Sequence, residues 1–262
     1  MPLPVSLPDG CLRVAGPGAW GFARSDAAAW ASEVLGSGAT LHAWAGAHPE
    51  RREMAGRGRT WAVPAPGPGG VPGWVVRRYR RGGAAARWLR DRYLALGEAR
   101  PIAELRASLE ASRRGIPTPA VVAGAVYPAG AFYRADLITE EIPGGVDLAE
   151  VLFGERGAPV APLPALGAVD ALLRLLAEGG VRHADLNAKN VVLEPRPEGP
   201  RAWVVDLDRC RFTAGADPGA GVATRSRLER SLRKLAARAG RPLGPDAWAA
   251  IGAGPSPSGR VR

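Results

Sequence analysis

Apolar residues recur along this chain at two periods, one helical and one alternating. Leu166, Val169, Leu172, Leu173 and Leu176 fall on one face of a 3.6-residue helix that Gly179 and Gly180 close. A second helix is predicted to open at Pro101, to bury Ile102, Leu105 and Leu109, and to end at Gly115, Pro117 and Pro119. A basic amphipathic helix over 225–239 has Leu228, Leu232 and Leu235 inside. Residues 25–35, capped by Ser25, and 87–96, stopped by Gly97, also read as helices, and Asp147 caps a short one through Leu152. Strands are predicted over 12–14, 41–44, 59–63, 74–79, 121–126 and 132–138, the last two joined by a turn over 127–130. In the strand over 74–79, Val75, Arg77 and Tyr79 share a face.

The strands named above all lie in the first half of the chain or just past it, and the second half is mainly helical. With 262 residues and 46% hydrophobic content, the chain can bury a full core. The fold class expected is α+β in a single domain, β-rich over about 1–141 and mainly helical over 142–250, with a disordered tail over 251–262. Residues 139–145 read as the connector between lobes. Cys11 and Cys210 are far apart, which argues against a disulfide framework or a zinc site. No apolar run reaches the ~18 residues of a spanning helix, and the Pro-rich start lacks the plan of a signal peptide, so a cytoplasmic protein is expected. The net charge of +10 is carried by arginine, since Lys189 and Lys234 are the only lysines. That balance favours anionic partners such as an acidic membrane face. Nucleic acid is not expected, because no helix-turn-helix, zinc-finger or RNA-binding pattern accompanies the charge.

The chemistry-bearing stretch is V-R-H-A-D-L-N-A-K-N-V-V-L over 181–193, which has the order H-x-D-x-x-x-x-N. Pro195, Pro197, Gly199 and Pro200 then make a turn toward W-V-V-D-L-D over 203–208. Phosphoryl transfer needs a carboxylate at the attacking hydroxyl, and an amide oxygen with a further carboxylate to hold magnesium on ATP. Asp185 is the candidate base, and Asn190 and Asp206 are the candidate Mg2+ ligands. D-L-D stands where protein kinases carry D-F-G, which makes Asp208 a further candidate ligand; Lys189, inside the loop, is a candidate ATP contact. W-V-V-R stands where a kinase carries V-A-I-K, so Arg77 is the candidate phosphate cation. Glu104 is its candidate partner, with Glu98 and Glu110 as alternatives. Gly36 with Gly38, or Gly56 with Gly58, would cover the phosphates; the strand over 59–63 favours the second pair. Arg78, Arg80 and Arg81, with Arg77, form the densest basic cluster and are candidates for gripping acceptor or lipid phosphates. Backbone groups of the connector would hold the adenine edge.

Four stretches together resemble the 3-deoxy-D-manno-octulosonic acid (Kdo) kinases of the lipopolysaccharide kinase branch of the protein-kinase-like superfamily: V-V-R-R-Y-R-R-G-G, R-R-G-I-P-T-P, H-A-D-L-N-A-K-N and V-V-D-L-D-R-C. R-L-E-R-S-L-R-K-L looks like that family's C-terminal helix, and the resemblance covers roughly 56–238. It implies a bilobal protein-kinase-like fold, ATP and Mg2+ as cofactors, and phosphorylation of a Kdo sugar on Kdo-lipid A. The expected place is the cytoplasmic side of the bacterial inner membrane, as a peripheral protein on its anionic surface. There is no A-P-E segment, which favours a small or glycolipid acceptor over a protein. The alternatives are a kinase of the same fold with another acceptor, or a catalytically dead kinase-like binding module.

Overall fold

In the computed structural model the residues described are 6–54, 60–66, 72–80, 91–155 and 157–252. Contacts divide the chain into two compact units, Met1–Ser108 with Pro119–Glu141, and Leu109–Thr118 with Ile142–Arg262. The class is α+β: the first unit is built on an antiparallel sheet and the second mainly on helices.

The strands of the first unit are β1 (Cys11–Gly16), β2 (Ala19–Arg24), β3 (Arg52–Met54), β4 (Thr60–Val63), β5 (Trp74–Arg78), β6 (Tyr93–Leu94), β7 (Val121–Ala129) and β8 (Phe132–Glu140). They pair in the order β1-β2-β7-β8-β5-β4-β3, with β6 added to β8. Gly130, at φ +63°, supplies the left-handed residue of the two-residue turn between β7 and β8. Helices α1 (Ala28–Gly36) and α2 (Leu41–Ala47) share one core with the sheet, in which Ala31, Leu35, Leu41, Trp74, Val76, Val122 and Ile138 are buried. Trp30 meets Trp44 and Trp74 edge-on at 4.6 and 4.7 Å. Helix α3 (Arg100–Arg113) brings Pro101 so close to β7 that a Cβ on Gly124 would lie 2.8 Å from it and 2.7 Å from the Phe22 ring. Only glycine fits there, and β7 accordingly reads as an unbroken apolar run.

Three expectations are corrected here. Residues 41–44 belong to a helix rather than a strand, because acceptors exist for its first N–H groups. Thr40 Oγ1 takes Ala43 N–H, Tyr127 Oη takes Leu41 N–H and Asp136 Oδ2 takes His42 N–H. Residues 25–35 hold a single 3-10 turn, Ser25–Ala27, before α1 begins at Ala28, and Ser25 caps neither. Within the expected helix over 87–96, residues 93–94 form a strand on β8, with Tyr93 against Tyr133 at 5.7 Å; residues 87–90 lie outside the described set.

The second unit contains α4 (Leu148–Phe153), α5 (Pro162–Glu178), α6 (Pro218–Ala239) and α7 (Pro245–Ala250). Asp147 caps α4 by accepting Glu150 N–H at 2.9 Å. The apolar stripe of α5 is buried at all five expected positions, and Gly180 leaves the helix at φ +62°. Helix α6 begins earlier than Arg225, at Pro218, with Asp217 as its cap; Leu228, Leu232 and Ala236 are buried and Leu235 is half-buried. Two small antiparallel ribbons complete the unit. One joins β9 (Val146–Asp147), β11 (Val191–Glu194) and β12 (Arg201–Val204); the other joins β10 (Val181–His183) to β13 (Cys210–Phe212). Of the expected tail over 251–262, Ile251 is instead fully buried and Gly252 belongs to a turn after α7, while 253–262 lie outside the described residues.

A polar knot holds the first unit from inside. Asp136 is fully buried and accepts Arg78 Nε at 3.1 Å, Tyr127 O–H at 3.0 Å and His42 N–H at 2.9 Å. Burial and the neighbouring Asp136 charge both push the Tyr127 phenol pKa far up, so it stays a donor. Asp136→Ala would strand these donors and cost about 3 kcal/mol, the low end for breaking a buried pair because Arg78 keeps some access to water. Urea denaturation followed by tryptophan fluorescence checks this.

Candidate active site

Of the candidates in the first unit, Arg77 and Glu104 meet, at a buried carboxylate. Arg77 on β5 faces α3, where Glu104 is 4% exposed although it carries a charge. Arg77 Nη2 donates to Glu104 at 2.5 Å, and the Tyr79 hydroxyl donates to Glu104 Oε2 at 2.5 Å. The Arg77 guanidinium also lies 4.6 Å over the Tyr79 ring. A carboxylate this deep is tolerable only with such partners. The other two glutamates are engaged elsewhere, Glu98 with Arg106 and Glu110 with Arg113 and Arg114.

Arg78, the next residue, points to the opposite face and is committed to Asp136 and Thr40 Oγ1. Arg80 is exposed, and Arg81 lies outside the described residues, as do Gly56 and Gly58, although Met54 and Thr60 on either side of that pair are matched in β3–β4. Gly36 ends α1, and Gly38, at φ +81°, belongs to the turn before α2.

The remaining candidates lie in the second unit. After β10 the chain leaves the ribbon, passes Asp185, makes a 3-10 turn over Ala188–Asn190 and enters β11. Leu186 and Ala188, buried at 2% and 0%, pin this loop from below. Its form is set by side chains bonding to backbone. Asn187 and Asn190 each donate an amide hydrogen to Asp185 O, at 2.9 and 3.2 Å, and Asn187 Oδ1 accepts Lys189 N–H at 3.0 Å. Lys189 and Asp185 themselves are exposed. Asn190 O accepts Val205 N–H at 3.0 Å, which ties the loop to the end of β12 immediately before Asp206. Asp206 is the one non-glycine residue with positive φ, +66°, among those described. That costly backbone turns the chain off the strand so that Leu207 is buried, at 1%, between two partly exposed aspartates.

His183 is fully buried at the root of the loop. Its Nδ1 accepts Asp185 N–H at 3.3 Å, so Nε2 carries the hydrogen and donates to Val205 O at 3.3 Å. The ring therefore bridges the loop that carries Asp185 to the strand end that precedes Asp206, and it does so only when neutral. Burial depresses its pKa.

With Nδ2 of Asn190 turned to Asp185 O, its Oδ1 is the oxygen left for a ligand. Asn190, Asp206 and Asp208 together offer an amide oxygen and carboxylates, the hard donors that suit Mg2+ with its own waters and phosphate oxygens. Among the described residues no group of three His, Cys, Asp or Glu side chains gathers as a metal cage. Two participants were missed by sequence reasoning. Tyr79 shares the face of Arg77, and that alternation was the available signal. Arg209 pairs with Asp185 Oδ2 at 2.6 Å; its only signal was adjacency to the D-L-D carboxylates. The unfolded chain takes up a proton at an ordinary histidine near pH 6.5, before the buried ring does, so His183 costs stability as pH falls below that value. His183→Asn, compared with the wild type by thermal midpoint across pH 5–8, is expected to flatten that acid limb.

The sequence matches the family described as the lipopolysaccharide kinase (Kdo/WaaP) family over residues 42–238. It is 37% identical over 160 residues to a 3-deoxy-D-manno-octulosonic acid kinase of Xanthomonas axonopodis pv. citri, covering 60% of this chain and 59% of that one. Identity to the enzyme of that name in Xanthomonas campestris pv. campestris is 36% over 188 residues, covering 70% and 69%. For that of Vibrio parahaemolyticus it is 29% over 194 residues, covering 73% and 75%. A solved structure described as WaaP in complex with acyl carrier protein aligns at 22% identity and a TM-score of 0.44, covering 78% of this chain and 84% of the other. With the family matched over most of its length, the chain belongs to the lipopolysaccharide kinase (Kdo/WaaP) family.

Proposed function

We propose that the protein transfers the γ-phosphoryl group of ATP to a hydroxyl of a Kdo sugar on Kdo-lipid A. The observation that carries this is the loop in which Asn190 is bonded to Asp185 O while its own carbonyl holds the strand end leading to Asp206. One short network thus links the segment of Asp185 to Asn190 and to the strand end before Asp206, which supports reading the first as the acceptor's carboxylate and the others as oxygen donors for a cation. The relatives named Kdo kinases support the acceptor.

Asp185 orients the sugar hydroxyl and takes its proton as the oxygen attacks the γ-phosphorus in line. Asn190 and Asp206, with Asp208, would hold Mg2+, which supplies neutralisation of the phosphate oxygens when bound. Lys189 sits exposed in the same loop, free to reach phosphate. In the first unit Arg77 is the phosphate cation; Glu104 and Tyr79 restrict its guanidinium to one orientation, an arrangement a lysine could not reproduce. Arg80 and Arg81 remain candidates for acceptor or lipid phosphate, while Arg78 would have to leave Asp136 to join them.

No helix among the described residues is long and apolar enough to cross a membrane, and the net charge of +10 suits an anionic surface. Peripheral attachment at the cytoplasmic face of the inner membrane, where a glycolipid acceptor would be met, is part of this proposal.

Transfer of label from γ-labelled ATP to Kdo-lipid A tests the reading, and no label on the glycolipid would refute it. Asp185→Asn is expected to lower kcat by about 10²- to 10⁴-fold, the usual worth of a general base, with the KM for ATP little changed. Arg77→Ala is expected to act the other way round, raising the KM for ATP at least ~10-fold through loss of a charge-assisted contact. Steady-state kinetics with ATP varied at saturating acceptor separates the two.

A further inference from the structure

Arg209 has no part in the scheme above, yet it pairs with the carboxylate of Asp185. Its place is fixed by the fold. Cys210 opens β13 opposite His183, so the ladder sets residue 209 beside the segment running from β10 to Asp185. Cys210 N–H donates to Leu207 O at 2.9 Å, which closes a tight turn over 207–210 on the buried Leu207. From this turn Arg209 Nη1 reaches Asp185 Oδ2 at 2.6 Å, with the two side chains 60% and 49% exposed.

A pair this open to water contributes at most about 1 kcal/mol to folding. It is cheap to exchange for another pair, and the guanidinium is a planar fork built to take a carboxylate through two parallel bonds. The acceptor class attached to the relatives' name is an octulosonic acid, a sugar that bears a carboxylate. We infer that Arg209 determines acceptor specificity by binding the carboxylate of the acidic sugar beside the hydroxyl that Asp185 orients. The acceptor's carboxylate replaces that of Asp185 on the guanidinium. Asp185 Oδ2 is thereby released for the hydroxyl proton at the moment the correct sugar is seated. A neutral sugar brings no group to make that exchange, and Asp185 stays held. The inference rests on the Kdo reading of the acceptor.

The test compares the wild type, Arg209→Gln and Arg209→Lys on Kdo-lipid A and on the same glycolipid with the Kdo carboxyl group reduced to the alcohol. Reduction is expected to lower kcat/KM of the wild type by roughly 10- to 100-fold, the worth of one charge-assisted pair. Arg209→Gln should show no preference between the two acceptors, with its value on Kdo-lipid A below that of the wild type, and Arg209→Lys should recover part of the preference. An unchanged KM for ATP in all three reports an intact nucleotide site. A loss relative to the wild type that is equal on the two acceptors, so that Arg209→Gln keeps the full preference, overturns the inference. A raised KM for ATP with the preference intact also overturns it and reassigns Arg209 to phosphate. A wild type that labels neither acceptor refutes the acceptor reading itself, and the inference with it; that result is distinct because it appears before any substitution.

Discussion

Two carboxylates taken out of water govern the first unit. Glu104 and Asp136 are 4% and 0% exposed, and each holds one of two consecutive arginines on β5. A strand turns successive side chains to opposite faces, so Arg77 goes to α3 and Arg78 to β8 and α2. Desolvating a charge costs several kcal/mol unless it is matched, and this single constraint fixes a great deal. It sets the register of β5, the rotation of α3 about its axis and, through His42 N–H, the start of α2. The phosphate-cation candidate and the internal staple are thus the same dipeptide, seen from two sides.

The second unit solves its problem with neutral groups. Between β10 and β11 the chain has little regular structure, and its shape comes from two asparagines, a neutral imidazole and a backbone bond to Val205. Each of these has a fixed donor and acceptor sense, which a pair of mobile charges would not. Supports of this kind hold the segment around Asp185 in one shape without bringing a further charge close to its carboxylate.

What the sequence reveals follows from range. The stripe of α5 is legible because helix burial repeats every three or four residues, and the order of Asp185, Asn190 and Asp206 because turns of fixed length set their spacing. Helix α2 is not, since its N–H groups are met by Tyr127 and Asp136, some ninety positions away and invisible to any local pattern. Nor is the two-residue strand β6, which exists because Tyr93 finds Tyr133. Glu104 looks like a surface residue beside a stripe; its burial depends on an arginine and a tyrosine from another element. Arg209 escapes notice for the same reason, as its meeting with Asp185 is made by the pairing of β10 with β13 rather than by any motif.

The choice of guanidinium over amine at position 77 also reaches beyond geometry. An arginine keeps its proton throughout the physiological range and is a poor nucleophile. A cation of this kind on β5 is indifferent to acidification, cannot be silenced by lysine acetylation, and offers nothing to the acylating or Schiff-base reagents that attack an amine.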